Sequence, residues 1–410
     1  MSTAGTRVDG DVRRGAFLTL LFCFLIATIE GIDLQSMGIA APALKPEFGL
    51  TNGQLGYVLT ASPIGLFFGS FIGGRLADHI GRKATLILAM LLFGVFQLST
   101  VWAPGFEALL VIRFLTGLGL GGALPNLIAL TAEAAGGKGR IINVVITAAG
   151  MPTGGALAAA IMYFGGVSAD WRVVFYIGGI APLLLAPAIA LALPESKMFR
   201  EAKAALAATG ARVNSFKALF GENRWIATLL LWIGFFFTTV VTYLLLNWLP
   251  SLMVAKGFTR TEASFIQILF NLGAVVGSIF LGWMMQRRPS RTVLFICYAG
   301  LALSLLGLTV ITKNLALAST VVALTGGFLL GAQYILYGLS PSFYRTASRG
   351  TGTGAAVAAG RLGSAVGPTL AGMLLSQGQS ATQVLQALLP VTAVGAVAAI
   401  LLMFCKRTEG

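Results

Sequence analysis

Four charged residues stand deep inside long apolar runs: Glu30, Asp33, Arg113 and Arg361. A charge in a membrane interior costs about 2.5–3.5 kcal/mol on insertion scales, so such residues carry function or are paired. Glu30 and Asp33 lie three apart and share one helix face. Two carboxylates in low dielectric tend to hold a proton, which is the chemistry of proton coupling. The other reading is that an arginine neutralises one of them. Arg113 is a candidate for that ion pair. Arg361 cannot readily shed its charge and can grip a carboxylate through its planar fork. It is read as a site for an anionic substrate, with a structural ion pair as the alternative. Gly360 and Gly363, beside it, are expected to leave open space for a ligand.

The elements that must position these residues are membrane helices. The chain has 410 residues, of which 57% are hydrophobic and 10% charged. Soluble domains are about 25% charged, and this chain cannot cover itself in water with so few charges. That excludes an ordinary cytosolic enzyme, a disordered chain and a nucleic-acid-binding domain. A span needs about 20 mainly apolar residues. Twelve runs answer to that, near 17–43, 53–77, 84–103, 106–133, 140–165, 171–193, 226–254, 262–285, 291–312, 317–341, 351–376 and 382–405. The fold class expected is therefore an all-α membrane protein of twelve transmembrane helices in two six-helix bundles. The bundles are 17–193 and 225–405. A basic cytoplasmic linker, 194–224, joins them, and tails cover 1–16 and 406–410.

The positive charges test this layout. Of the 28 Lys and Arg, 21 fall on the side of the termini, 5 on the other, and Arg113 and Arg361 lie within helices. Cytoplasmic loops carry such an excess, so both termini are expected in the cytoplasm. No cleavable signal peptide is expected, because the first apolar run is too long. The halves echo each other. Arg140 precedes Gly150-Met151-Pro152 by ten residues, and Arg349 precedes Gly360-Arg361 by eleven. Transporters built from repeats bind substrate near the bilayer midplane at the interface of the repeats. The glycines Gly117, Gly119, Gly121 and Gly122 are read as one small packing face, and Gly352, Gly354, Gly360, Gly363 and Gly367 as another.

The loop segment Gly73-Gly74-Arg75-Leu76-Ala77-Asp78-His79-Ile80-Gly81-Arg82-Lys83 resembles the loop signature of the major facilitator superfamily. Arg113-Phe114-Leu115-Thr116-Gly117-Leu118-Gly119 and Pro194-Glu195-Ser196 are similar to further motifs of that superfamily. Glu30-Gly31-Ile32-Asp33 resembles the helix 1 acidic motif of its aromatic acid:proton symporters, with Glu30 where Asp is usual. With Ala123–Leu130, Asn247-Trp248-Leu249-Pro250 and Gly360-Arg361-Leu362-Gly363, the likeness is greatest to transporters of 3-(3-hydroxyphenyl)propionate. The second-half loop departs from the pattern, since Gln286 stands where an Asp would repeat Asp78. Gly150-Met151-Pro152-Thr153-Gly154-Gly155 partly matches a drug antiporter motif with altered spacing, and is read as a close-packed, kinked helix.

The resemblance implies a proton-coupled symporter that imports an aromatic carboxylate by alternating access. A drug or metabolite:proton antiporter of the same fold is the alternative. Glu30 and Asp33 would couple protons. Gly74, Asp78, Arg82, Lys83 and Arg113 would gate. Arg361, Gln35, Tyr243, Asn247, Asn271 and Tyr337 would bind substrate, within a wider polar and aromatic set that includes Asn126, Trp232, Gln333 and Tyr334. Such a set suits a phenyl ring with a few polar contacts. The partners expected are a small aromatic acid, protons and the lipid bilayer, in a monomer of a bacterial inner membrane, with no nucleic acid. Metalloprotease, serine hydrolase and phosphate-loop motifs are missing from the sequence, which points to no enzyme, no cofactor and no metal.

Overall fold

The computed structural model describes the chain except residues 1–2, 124–126, 128–129, 132–139, 167–169, 194–219, 221–223, 345–348 and 406–410. For residues 3–16, 78, 140–146, 148 and 349–350 the backbone alone is described. Twelve α-helices follow one another among these residues: α1 Thr3–Glu47, α2 Asn52–Ile80, α3 Arg82–Ser99, α4 Phe106–Gly121, α5 Arg140–Gly165, α6 Arg172–Ala192, α7 Trp225–Ala255, α8 Arg260–Arg287, α9 Ser290–Val310, α10 Leu315–Leu339, α11 Arg349–Ser376 and α12 Ala381–Leu402. Nine of them are long and apolar enough to cross a membrane.

Local chemistry sets where they stop. Gly81 separates α2 from α3 with φ 96°, a left-handed backbone that glycine adopts without steric cost. Thr259 and Glu262 form a reciprocal capping box at the start of α8, and Ser380 and Gln383 do the same for α12. After α7, Lys256 donates its Nζ to the carbonyls of Leu308 (2.6 Å) and Thr309 (3.2 Å), capping the end of α9. Burial lowers the Lys256 pKa from its ordinary value.

The chain forms two compact units: Met1–Ser36 with Ile64–Gly155 and Arg172–Ala211, and Met37–Pro63 with Ala156–Trp171 and Arg212–Gly410. In the first, Phe22, Cys23, Ile26, Leu86, Met90, Leu127 and Ile189 share an apolar core. Glycines let the helix backbones touch: Gly31 lies on Met151, Gly154 on Thr28 and Ile32, and Gly65 on Phe114. The helix 5 glycines thus serve close packing on α1. The helix 4 glycines do not share one face. Gly119 meets Phe93 of α3, whereas Gly121 meets Leu66 and Ser70 of α2. Residues two apart on a helix point in different directions, and each glycine admits a different neighbour.

The second unit is built around α7, in which every position from Thr238 to Pro250 is buried. A helix apolar all round needs neighbours all round, and α8, α10, α11 and α12 supply them. Gly363 lies on Phe236 and Gly367 on Val240, so α11 packs closely along α7. Gly354 has open space beside it and stands apart from that face, and Gly352 sits under the Tyr344 ring. The start of α2 and the end of α11 also meet within this unit. Asn52 Nδ2 donates to the Leu375 carbonyl (3.2 Å), and the Thr60 and Thr369 hydroxyls are 2.7 Å apart.

Candidate functional site

The first constellation lies in the first unit. Arg113 of α4 reaches α1, where its Nη2 donates to Asp33 Oδ1 at 2.8 Å. Its Nη1 donates to Gln97 Oε1 of α3 at 2.6 Å. Gln97 Nε2 donates to the Ser36 hydroxyl (3.3 Å), which donates to the Asp33 carbonyl (2.9 Å). The guanidinium also lies 5.9 Å from the centre of the Phe175 ring on α6. Asp33, Ser36, Gln97 and Arg113 are all buried. A buried ion pair persists only when further hydrogen bonds satisfy its members, and the loop through Gln97 and Ser36 provides them. Glu30, one turn before Asp33, is buried as well, at 1% exposure. Asp33 is thus paired with a buried guanidinium.

Gln35 was expected at a substrate site. It is buried with its amide against Gly155 of α5, whose missing side chain makes room for it. Gln97 and Ser36 escaped sequence reasoning. A glutamine inside the apolar run 84–103 was the available signal for Gln97.

The second constellation lies in the second unit, between α7, α10 and α11. Arg361 Nη1 donates to the Tyr243 hydroxyl at 3.3 Å. Arg361 is part-exposed and Tyr243 buried. About two turns back along α7, Phe235 meets Tyr337 of α10 edge to face, with centroids 4.9 Å apart. Thr242 donates to Gln333 Oε1 at 2.9 Å. Asn247 and Asn271 are buried and each donates to a carbonyl of its own helix, Tyr243 at 2.8 Å and Gln267 at 2.9 Å. The geometry brings together Arg361 and Tyr243, with Tyr337 on the neighbouring aromatic pair.

The expected space beside Arg361 has another use. Gly360 faces the Thr239 hydroxyl and Phe235, and Gly363 faces the Phe236 backbone, so both glycines are filled by α7 and provide no room for a ligand. A stronger signal went unread in the sequence. Between Glu262 and Glu409 there is no acidic residue. Helices α7 to α12 therefore offer Arg361 hydroxyls and amides, while their one carboxylate, Glu262, is engaged in the α8 capping box.

The motif residues around Gly81 lie at the junction of α2 and α3. Arg82 and Lys83 open α3. Gly74 has open space beside it, and it is Gly73 that touches Gly122 of the α4 end. Asp78 lies on α2 with its side chain outside the described residues, as Asn126 lies outside them altogether. Among the described residues no group of His, Cys, Asp or Glu could hold a metal ion.

Twelve helices, nine of them long and apolar enough to cross a membrane, with charged side chains set among them, are the make-up of a multi-pass membrane protein. The sequence matches the Major Facilitator Superfamily over residues 23–368 and 231–410, and the chain belongs to that superfamily. It is similar to the 3-(3-hydroxy-phenyl)propionate transporter of Escherichia coli (strain K12), at 42% identity over 97% of this chain and 96% of that protein. It is 35% identical to a 4-hydroxybenzoate transporter of Pseudomonas putida, over 93% of this chain and 91% of that one. Among solved structures, a D-xylose-proton symporter shares the fold with a TM-score of 0.77 at 20% identity, covering 95% of this chain and 97% of that chain.

Proposed function

We propose that this protein is a proton-coupled symporter that imports an aromatic carboxylate across a bacterial inner membrane. In this reading it has twelve spans, works as a monomer and keeps both termini in the cytoplasm, as the 21-to-5 distribution of positive charge favours. Curated relatives along almost the full length are transporters of aromatic acids, which supports the substrate class. The observation that carries the reading is the Arg361–Tyr243 pair, set in helices that bear almost no carboxylate. An uncompensated anion in the membrane interior is costly, so a fixed cation midway along α11 is a suitable group to receive the substrate carboxylate. Tyr337 and Phe235 would hold the ring by edge-to-face contact.

Glu30 is the proton carrier in this scheme. Asp33 keeps a fixed partner in Arg113, so its charge is balanced throughout the cycle. Glu30, buried one turn away, takes up a proton when substrate enters and releases it when substrate leaves. The Gly74, Asp78, Arg82 and Lys83 segment is proposed to gate by its resemblance to the superfamily signature. Asn247, Asn271 and Gln35 contribute to shaping the helices more than to direct contact, since each is spent on helix packing or on its own backbone.

The test is uptake into proteoliposomes. Labelled 3-(3-hydroxyphenyl)propionate, 4-hydroxybenzoate, benzoate and their amides are supplied with an inward proton gradient. Gradient-driven accumulation of at least one acid, but of none of the amides, is the expected result. Accumulation of substrate only under an outward proton gradient would favour antiport.

A further inference from the structure

A furrow of about 630 Å³ runs along the outside of the second unit between α8 and α10. Its floor is made of small residues. Gly273 lies on Ala323 and Gly277 on Gly327, so the two backbones touch and leave no side chains to fill the surface above them. Leu272, Val276 and Phe280 of α8 and Leu324 of α10 line it and are exposed.

The α8 side of the furrow continues as a single stripe. Leu272, Val276, Phe280, Trp283 and Arg287 are spaced 4, 4, 3 and 4 residues apart, which keeps them on one helix face. Phe280 and Trp283 stack with centroids 5.9 Å apart, and the Arg287 guanidinium lies 4.5 Å over the Trp283 ring. The order along the helix is aliphatic, aromatic, cationic. Arg288 follows directly and Arg291 is the second residue of α9, and all three arginines are exposed. No acidic residue lies anywhere between Glu262 and Glu409 to neutralise them. From Leu272 to Arg287 a helix rises roughly 22 Å, more than one leaflet of a hydrocarbon core about 30 Å thick.

We propose that the α8/α10 furrow is a binding site for an anionic phospholipid. One acyl chain lies in the furrow along Val276 and Phe280, Trp283 stands at the level of the glycerol backbone, and the phosphate meets Arg287 and Arg288. Tryptophan favours the headgroup level, and basic pockets at helix ends bind anionic headgroups. The charge pattern selects an anionic lipid over a zwitterionic one, because the charged side chains that α8 and α9 present at this end, Arg287, Arg288 and Arg291, are all cationic. A second copy of the chain would meet like charge with like charge at the three arginines.

The test uses the full-length protein in detergent with lipids added back, read by native mass spectrometry. Phosphatidylglycerol should be retained and phosphatidylcholine of the same chain length should not. R287A/R288A should lose roughly tenfold or more in retention, as expected for removing two charges near a phosphate. Val276→Trp, which places bulk over the furrow while leaving the arginines, should lower retention too. Phosphatidylglycerol with a photoactivatable acyl chain should cross-link within 272–287 or 319–328. The proposal is overturned if the double variant retains phosphatidylglycerol like the parent, if phosphatidylcholine binds equally, if cross-links fall elsewhere, or if the furrow variants instead dissolve a dimer.

Discussion

Arg113 bridges α4 to Asp33 of α1 at 2.8 Å and to Gln97 of α3 at 2.6 Å, so one buried guanidinium ties three helices of the first unit together. Asp33 is thereby a fixed counterion. Glu30, on the same helix one turn away, is buried as well, and it is the acid proposed above to carry the proton.

The pair predicts a stability signature for Asp33. Removing one member of a buried ion pair leaves the other uncompensated, at about 3–5 kcal/mol. Asp33→Asn should therefore lower the thermal midpoint of the purified protein sharply. The double variant D33N/R113Q removes both charges and should regain much of the loss. A double variant no more stable than Asp33→Asn alone would show that the pair contributes nothing of this kind.

Glu30 should behave differently. Glu30→Gln keeps the shape of the side chain and removes its charge, so folding is preserved. Accumulation driven by a pH gradient should vanish, while exchange of labelled for unlabelled substrate, which needs no net proton movement, continues. Equal gradient-driven accumulation in Glu30→Gln and parent would remove Glu30 from the coupling role.

The helix count and the charges deep in the membrane were legible in sequence, because apolar runs and their interruptions report burial directly. The Arg113–Asp33 pairing was legible as one alternative. What escaped was direction around each helix. Glycines at 360 and 363 read as space beside Arg361, but both are filled by α7, since glycine marks close approach without saying what approaches. Gln97 was invisible as a partner because nothing in one sequence aligns α3 with α4. Gly73 and Gly74 differ only in the helix face they occupy, and Gly73 makes the contact.

The meeting of α2 and α11 predicts a lock. Asn52, Gly56 and Thr60 are spaced by four and face Leu375, Gly372 and Thr369, with the Thr60 and Thr369 hydroxyls 2.7 Å apart. In the proposed alternating access, this end opens when it faces the side from which substrate enters. A T60C/T369C variant places two thiols within reach of a disulfide. Oxidation should stop transport and reduction should restore it. Unimpaired uptake with the cross-link formed would show that this contact never parts.

The last prediction concerns the anion. Arg361 donates to the Tyr243 hydroxyl at 3.3 Å, and helices α7 to α12 carry a single carboxylate, Glu262, engaged in a helix cap. In the proposed site the substrate carboxylate meets the planar fork of Arg361 beside the Tyr243 hydroxyl. Arg361→Lys keeps the charge and loses the fork. A hydrogen bond to a charged group is worth about 1.5–3 kcal/mol, so affinity should fall roughly tenfold to a hundredfold. Tyr243→Phe removes one neutral hydrogen bond, about 1 kcal/mol, and should weaken binding several-fold. Arg361→Ala should bind neither acid nor amide measurably better than the other, because the discrimination itself is lost. Calorimetry with one aromatic acid and its amide on purified parent and variants reads all three. If Arg361→Ala binds the acid as the parent does, the carboxylate is held elsewhere.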